Sequence, residues 1–242
     1  MEERRRFEIL QMRYWQIDFA RGIAVILMLF FHLFFDASYF QKIELSGAFW
    51  FVFPRFIGGM FIFISGFTLS YTHRDRTLFS VSKLRRIAKF AVIAIAITIA
   101  TMIFAPDEFV VFGIIHFFAV ASLLAMFFVK KEKVCLFLGV CLTILGFYIQ
   151  QFRFPFWHLF WLGLIPEGFR TLDYYPLLPW FGVMLLGMYF GKKIRLRAVN
   201  YKENFVSFLG RHSLAIYLIQ HPVIVLLLHL YYRDVLQSIL KV

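Results

Sequence analysis

Apolar residues occur in long, nearly continuous runs that recur along the whole chain, separated by short polar or charged connections. A helix rises about 1.5 Å per residue, so about 20 residues cross a bilayer core about 30 Å thick. The pattern therefore predicts an all-α fold, a polytopic transmembrane helical bundle of about seven or eight spans. Residues 1–242 would form a single integral membrane domain. The candidate spans cover residues 22–40, 48–71, 88–105, 109–129, 134–150, 177–191 and 212–231.

One apolar stretch, QFRFPFWHLFWLGLIPEGFRTLDYYP at residues 151–176, departs from this pattern. Its apolar part is about twelve residues long, too short to span, and Pro155 and Pro166 interrupt it. Trp157 and Trp161 belong to the residue types that concentrate at membrane–water interfaces. The stretch is predicted to be a re-entrant or interfacial segment near residues 152–170, on the outer side, where it could form a lid.

Composition and the placement of charge support the membrane interpretation. Hydrophobic residues make up 61% of the chain, against about 45–50% in soluble domains, and the mean hydropathy is +0.75. The net charge is +12, and 20 of the 26 Lys and Arg residues lie in segments 1–21, 72–89, 130–133 and 192–211. Because cytoplasmic connections carry the excess of basic residues, the N-terminus is predicted to be cytoplasmic and the C-terminus external. We expect a multi-pass protein of the cell membrane whose partner is the lipid bilayer, with no nucleic acid.

The sequence gives little support for redox, nucleotide or metal chemistry. Cys135 and Cys141 lie six residues apart in one apolar run and would not face each other on a helix, so both are predicted to be packing residues. No P-loop, GxGxxG, HExxH or CxxC pattern occurs in the sequence. NTP hydrolysis, dinucleotide binding and zinc chemistry therefore have no support, and no metal is expected.

Four ionisable residues fall at similar depths in four different predicted spans. At a rise of about 1.5 Å per residue, His32 lies about 16 Å and His221 about 15 Å from the inner membrane boundary. Arg55 lies about 10 Å and His116 about 12 Å from the outer boundary. An arginine at the bilayer centre costs about 2.5–3.5 kcal/mol on insertion scales, so such residues normally face a bundle interior or a wet cavity. The sequence therefore predicts one buried polar pocket shared by the four spans.

His32 and Asp36 are four residues apart, and hence on one face of the first span. In this interpretation Asp36 orients the His32 ring and favours its imidazolium form, as in acid–base pairs. Structural alternatives stay open for each polar residue, since histidines also hydrogen-bond between transmembrane helices. His221 precedes Pro222 and could bond to backbone freed by a kink, while Arg55 could be an ion partner of Asp36.

A basic loop, THRDRTLFSVSKLRRIAK at residues 72–89, lies on the predicted inner side. Its charge suits either topology and attraction to anionic lipid, or the phosphates of a polyanionic co-substrate such as coenzyme A. Asp18 and Arg21, at the inner mouth of the first span, would help to fix the coenzyme end. The residues predicted to bind the coenzyme are Asp18, Arg21, Arg74, Arg76, Lys83, Arg85, Arg86 and Arg211.

Five segments of the chain resemble the transmembrane acyltransferase superfamily, in the family's order. The stretch RYWQIDFARGIAVILMLFFH matches the pattern R-x-x-x-(I/L/V)-D-x-x-R-G that introduces the first span. The others are FPRFIGGMFIFISGFTLSY, FGIIHFFAVASLL, DYYPLLPWFGVMLLG and LGRHSLAIYLIQHP. The chain is most similar to the bacterial and archaeal relatives of heparan-α-glucosaminide N-acetyltransferase.

The resemblance implies an enzyme that takes an acyl group, typically acetyl, from coenzyme A on the cytoplasmic side. It would pass this group to an amine or hydroxyl, often on a sugar, presented from the other side. In the lysosomal member the histidine implicated in catalysis follows the first span, but the corresponding loop here, ASYFQKIELSG, has no histidine. His32 is then the candidate, either as general base or as transient acyl carrier. Arg55, His116 or His221 would stabilise the oxyanion or position the acceptor.

Two other classes of function remain open on the sequence alone. Buried His, Asp and Arg residues also build proton relays, so a proton-coupled transporter or a channel is one alternative. A non-catalytic scaffold or lipid-binding protein is the other, supported by the basic inner loops. Either a monomer or a homodimer is compatible with the sequence.

Overall fold

The computed structural model describes residues 14–72, 81–196 and 204–233, with the side chains of residues 72 and 82 left out. The described residues are all-helical, with no strand and two isolated bridges, which confirms the predicted fold class. The helices are α1 Trp15–Tyr39, α2 Ala48–Thr72, α3 Val81–Phe104, α4 Ile114–Ala125, α5 Glu132–Ile149, α6 Leu177–Lys193, α7 Phe205–Arg211 and α8 Ser213–Tyr232. Short 3-10 turns occur at Met126–Phe128 and Phe160–Leu162.

Each predicted span overlaps a described helix, and the largest differences lie at the helix starts. Five of the described helices are long and apolar enough to cross a membrane, namely α1, α2, α3, α5 and α8. Helices α1 and α3 each begin seven residues before the predicted start, at Trp15 and Val81. The reason is that a helix does not end where its sequence turns polar: Asp18 and Arg21 continue α1 beyond the apolar run.

The chain divides into two compact units, which we describe separately. Among the described residues, unit 1 comprises 14–61, 194–196 and 204–233, and thus contains α1, the first half of α2, α7 and α8. Unit 2 comprises the described residues 62–72 and 81–193 and contains the second half of α2 with α3 to α6.

In unit 1, helices α1 and α8 pack side by side and run in the same direction. Their contacts advance together: Ile216 packs against the cluster containing Met28, His221 meets Asp36, and Ile224 packs with Ala37.

The short helix α7 crosses the N-terminal part of α1 in very close contact. A Cβ atom added at Gly22 would collide with the carbonyl oxygen of Val206, and one added at Gly210 with that of Asp18. Small residues at such crossings let two backbones approach closely. Gly22 is the glycine of the D-x-x-R-G pattern, so the pattern has a packing role at this crossing.

In unit 2, α5 and α6 form the main helix pair, and α6 also crosses the second half of α2. A Cβ atom at Gly66 of α2 would collide with the carbonyl oxygen of Met184 on α6. Met184, Leu185 and Met188 on α6 are fully or almost fully buried. The apolar face of α6 therefore forms the centre of this unit.

The segment between α5 and α6 is irregular and is tied to the residues before α4. Phe112 and Tyr174 form an isolated bridge, and the N–H of Leu172 donates to the carbonyl of Glu108 at 2.8 Å. The N–H of Ile114 donates to the Asp173 carboxylate at 2.8 Å, which gives the N-terminus of α4 an anionic partner. The segment is thus a tethered loop, and its predicted interfacial position stays a prediction.

Candidate functional site

The most distinctive polar contact of unit 1 joins α1 to α8. Nδ1 of His221 lies 3.1 and 3.0 Å from the two carboxylate oxygens of Asp36. Asp36 is only 5% exposed, whereas the side chain of His221 is 44% exposed. A buried carboxylate needs a compensating partner, and the histidine of α8 is that partner.

This contact corrects the predicted pairing of Asp36 with His32. The two residues do lie one turn apart on α1, but Nδ1 of His32 donates to the carbonyl of Met28 on its own helix at 2.9 Å. The predicted orientation of His32 by Asp36 is therefore wrong. The prediction considered only neighbours on one helix, and the carboxylate instead bonds across to α8.

His32 nevertheless lies directly beside the pair. Its ring centroid is 4.6 Å from that of His221, and the ring planes are inclined at 81°. Since the Met28 carbonyl and the Asp36 carboxylate only accept hydrogen bonds, Nδ1 carries the proton in each neutral ring. Nε2 is then the acceptor atom of both His32 and His221. We call Asp36, His221 and His32 the polar triad.

The polar triad lies between two apolar clusters along the α1–α8 contact. One cluster contains Val25, Met28 and Ile57, and the other contains Ala37, Ile224 and Leu228. The packing on either side fixes the two helices in register and so fixes the triad geometry. An imidazole with a carboxylate on Nδ1 and a lone pair on Nε2 can take a proton, because the carboxylate stabilises the resulting cation.

Arg55, also in unit 1, is held on its own helix in the contacts described. Its Nη1 donates to the carbonyl of Phe51 at 2.6 Å, and its Cζ lies 3.6 Å from the centroid of the Phe51 ring. Among the residues that the structure describes, the carboxylate of Asp36 pairs with His221 and not with Arg55. The alternative that made Arg55 the ion partner of Asp36 is therefore wrong.

His116 belongs to unit 2, where both of its ring nitrogens are engaged. The N–H of Gly113 donates to Nδ1 at 3.3 Å, so the proton is on Nε2, which donates to the Thr98 hydroxyl at 3.0 Å. That hydroxyl donates in turn to the carbonyl of Val110 at 2.8 Å. These bonds give His116 a capping role at the start of α4, and its predicted role towards the oxyanion or the acceptor stays a prediction.

Two of the residues predicted to bind the coenzyme pair at the start of α1, and the backbone next to a third packs against the same turn. Arg21 Nη1 lies 3.8 Å from a carboxylate oxygen of Asp18, one turn away on the same helix. Arg211 directly follows Gly210, whose backbone packs against the carbonyl of Asp18. Unit 1 thus has a small charged group at one end and the polar triad farther along the same helix.

The other predicted coenzyme residues are in unit 2 or outside the described residues. Lys83, Arg85 and Arg86 lie in the first two turns of α3, and the guanidinium of Arg86 is 5.5 Å from the centroid of the Phe90 ring. Arg74 and Arg76 lie outside the described residues.

Unit 2 also contains an open groove of about 350 Å³ beside the tethered loop. Its lining residues are Glu108, Arg153, Ile165, Phe169, Arg170, Thr171 and Tyr174. The hydroxyl of Tyr174 donates to the carbonyl of Phe160 at 2.7 Å, and burial raises the pKa of this hydroxyl above its usual value. Two guanidinium groups and one carboxylate suit a ligand with an anionic group and hydrogen-bond donors.

Sequence reasoning missed two polar residues that matter here, Thr98 and Gln220. Thr98 connects His116 to the backbone, and Gln220 is a buried residue of α8 next to His221. A glutamine inside an apolar run was a visible signal for the second. Among the residues that the structure describes, no group of three or more His, Cys, Asp or Glu side chains could hold a metal ion.

Comparison with known proteins agrees with the resemblance inferred from the motifs. A family model described as heparan-alpha-glucosaminide N-acetyltransferase, catalytic, matches residues 13–222. No match was found among curated proteins or among solved structures. The matched region contains α1, α8 as far as Pro222 and all three residues of the polar triad. The chain therefore belongs to the family of the heparan-α-glucosaminide N-acetyltransferase catalytic domain, a family of membrane acetyltransferases.

Proposed function

We propose that this protein moves an acyl group, chiefly acetyl, from acyl-CoA on the cytoplasmic side to an amine or hydroxyl acceptor presented from the external side. A sugar is one class of acceptor with such groups. The family match supports acyl transfer as the reaction. The observation that carries the mechanism is the Asp36–His221 contact, because a carboxylate-supported imidazole is the base that the reaction needs.

In this mechanism Nε2 of His221 removes the proton from the acceptor as the acceptor attacks the thioester carbonyl carbon. The C–S bond then breaks, and the imidazolium returns the proton to the leaving thiolate. The products are the acylated acceptor and free coenzyme A. Asp36 keeps the proton of Nδ1 on the correct side of the ring and stabilises the transient positive charge.

His32 supplies a second acceptor nitrogen beside the base. Its Nδ1–H donates to the Met28 carbonyl, so its Nε2 can accept a hydrogen bond from the N–H or O–H of the acceptor substrate. An amine has hydrogens for both Nε2 atoms, one for His221 and one for His32. We propose that His32 positions the acceptor, in contrast to the base or acyl-carrier roles expected from the sequence.

The charged group at the start of α1 supports a cytoplasmic site for the coenzyme. Arg21 and Arg211 suit phosphate oxygens, because a guanidinium can donate two parallel hydrogen bonds to them. Asp18, within 3.8 Å of Arg21, would hold that arginine in position. Lys83, Arg85 and Arg86 on α3 are further candidates for phosphate contacts, alongside Arg74 and Arg76.

A transfer assay in proteoliposomes tests the proposal directly. The purified protein is supplied with radiolabelled acetyl-CoA and glucosamine as a probe acceptor, and acetylated product is counted. Product formation that is lost in His221→Asn would support the mechanism. Isothermal titration with acetyl-CoA provides a separate measure, and a protein that binds no acetyl-CoA would contradict the proposal.

A proton pathway is the second candidate, because the triad itself favours it. Two imidazoles with ring centroids 4.6 Å apart, next to a buried carboxylate, could also pass protons along a bundle. This function predicts pH-driven flux in liposomes in the absence of acyl-CoA. The family match favours acyl transfer over this candidate.

A further inference from the structure

Gln220 is a buried amide that lacks a hydrogen-bond partner within the part of the chain that the structure describes. The residue is 3% exposed, and neither its Oε1 nor its Nε2 has a partner among the described residues. Most buried polar side-chain atoms in proteins are hydrogen-bonded, because an unmet donor or acceptor costs free energy. An amide with both ends unmet therefore requires an explanation.

The position of Gln220 on α8 relates it to the polar triad. Ile216, one turn before it, packs against one apolar cluster of unit 1, and Ile224, one turn after it, belongs to the other. Gln220 thus occupies the same level as His221, its neighbour in the chain. Unlike His221, whose side chain is partly exposed, Gln220 is directed into the packed interior.

Two buried serines, Ser70 and Ser207, also have unmet hydroxyls among the described residues, but their case differs. A helical serine hydroxyl can rotate towards a carbonyl of the preceding turn, which is a common local bond. Glutamine, with its longer side chain, is not among the residue types that commonly make such local bonds to the backbone. Gln220 is therefore the member of this set that calls for a partner from outside the chain.

We propose that Gln220 is the oxyanion-binding residue of the acyl-transfer site, an inference that rests on the proposed function. Its Nε2–H donates to the acyl carbonyl oxygen of the thioester. When the acceptor attacks the carbonyl carbon and His221 takes the proton, the C=O π electrons move to that oxygen. The resulting negative charge strengthens the hydrogen bond to Gln220, and the C=O double bond re-forms as the C–S bond breaks.

A neutral amide suits this role at the level of the triad. Donors that stabilise a developing oxyanion act best when they are fixed in a site that excludes water. Gln220 is fixed by the packing of Ile216 and Ile224 on either side of it. Nη1 of Arg55, a donor predicted from the sequence, donates to the carbonyl of Phe51 on its own helix.

The test compares Gln220→Met with a matched control, Gln150→Met. Methionine keeps the length of the side chain and removes both polar atoms. Nε2 of Gln150 already donates to the carbonyl of Leu178 at 2.9 Å, so its replacement removes a satisfied amide in unit 2. We measure the melting temperature, kcat and the KM for acetyl-CoA in the same detergent or proteoliposome preparation.

For Gln220→Met we expect an unchanged or higher melting temperature and a fall in kcat of about 10²–10³-fold, the usual effect of losing one oxyanion donor. For Gln150→Met we expect a lower melting temperature and an unchanged kcat. A kcat of Gln220→Met within threefold of the wild type would overturn the proposal, because the amide would then be a packing or hydration feature only. Should Gln220→Met not fold, Gln220→Asn keeps the amide but retracts it, and the same loss of kcat is expected.

A binding measurement separates this inference from the proposed function. The wild type should bind acetyl-CoA about fivefold more tightly than free coenzyme A, the value of one neutral hydrogen bond. Gln220→Met should bind the two equally. Binding of acetyl-CoA with the same preference in both proteins would refute the role of Gln220 alone, whereas absence of any coenzyme binding by the wild type would refute both proposals.

Discussion

Asp36 and His221 are 185 residues apart in the chain, and a hydrogen bond of 3.0 Å joins them across the α1–α8 contact. The bond unites the first and last described membrane helices in unit 1, between two apolar clusters. It also explains why an aspartate occurs in a run as apolar as GIAVILMLFFHLFFD. The carboxylate has a partner there that can become positively charged.

Replacing Asp36 tests the importance of this carboxylate for catalysis. Asp36→Asn retains the shape of the side chain but loses the negative charge that stabilises the imidazolium of His221. We expect kcat to fall by about 10²–10⁴-fold, the usual contribution of general acid–base catalysis. Asp107→Asn, in an exposed loop, is the matched control and should retain wild-type activity. A folded Asp36→Asn protein with unchanged kcat would remove the carboxylate from the mechanism.

His32 is expected to affect acceptor binding more than the rate of the chemical step. His32→Asn removes the second Nε2 acceptor, so the KM for an amine acceptor should rise about tenfold, comparable to the loss of one or two neutral hydrogen bonds. Kcat should change much less than in His221→Asn. Steady-state kinetics with glucosamine as the varied substrate give both values.

The chain provides a close control for this variant. Nδ1 of His212 bonds to the carbonyl of Phe208 at 2.9 Å, the same local bond that His32 makes to Met28. His212→Asn should therefore leave both constants unchanged. If His32→Asn abolishes kcat with the KM unaltered, His32 is the base or acyl carrier, as the sequence had indicated.

The close contact of α7 with α1 predicts a strong effect of enlarging Gly22. Gly22→Val places side-chain atoms against the carbonyl of Val206, and overpacking of this kind costs about 1–3 kcal/mol. The melting temperature of the detergent-solubilised protein should fall accordingly. Ile23→Ala, at the next residue of α1, where the side chain is exposed, should have a small effect. Equal melting temperatures for Gly22→Val and the wild type would disprove the crossing.

Tyr174 predicts an alkaline transition in the tethered loop. Burial raises the pKa of the hydroxyl, so the folded state favours its neutral form, and this stabilisation is fully present below about pH 10. It is lost as the pH rises through the raised pKa of the folded state. Fluorescence of Trp157 and Trp161 should report loosening of the loop above that range.

Tyr174→Phe serves as the control for this transition. The variant loses the hydrogen bond to the carbonyl of Phe160, so the loop should be less stable by about 1 kcal/mol at neutral pH. It should also lack the step in fluorescence that is due to Tyr174. An identical alkaline profile in the variant would assign the transition to other groups.

The helical fold was predictable because membrane spanning imposes a simple rule on sequence. Long apolar runs must be helices in a bilayer, and each predicted span overlaps a described helix, although five of the described helices are long and apolar enough to cross a membrane. The start of α1 was less predictable, since Asp18 and Arg21 extend the helix beyond its apolar run. The predicted single domain and the predicted orientation stay predictions.

The candidate site could be predicted in composition but not in its connections. Polar residues in apolar runs identified His32, Asp36 and His221, and all three do meet. Their pairing depends on the register of α1 against α8, which the packing of two apolar clusters determines and which spacing along one helix cannot give. Similarly, the depth of His116 gave no indication that Thr98 and Gly113 would engage both ring nitrogens.

A double-mutant cycle on Asp36 and His221 tests the central claim most directly. The quantities are the single-turnover rates of acetyl transfer from radiolabelled acetyl-CoA for the wild type, Asp36→Asn, His221→Asn and the double variant. If the two residues act as one unit, the double variant should be no slower than His221→Asn alone, as in other catalytic groups that work together. Losses that multiply, so that the double variant is slower by the product of the two single effects, would contradict a shared role and with it the proposed mechanism.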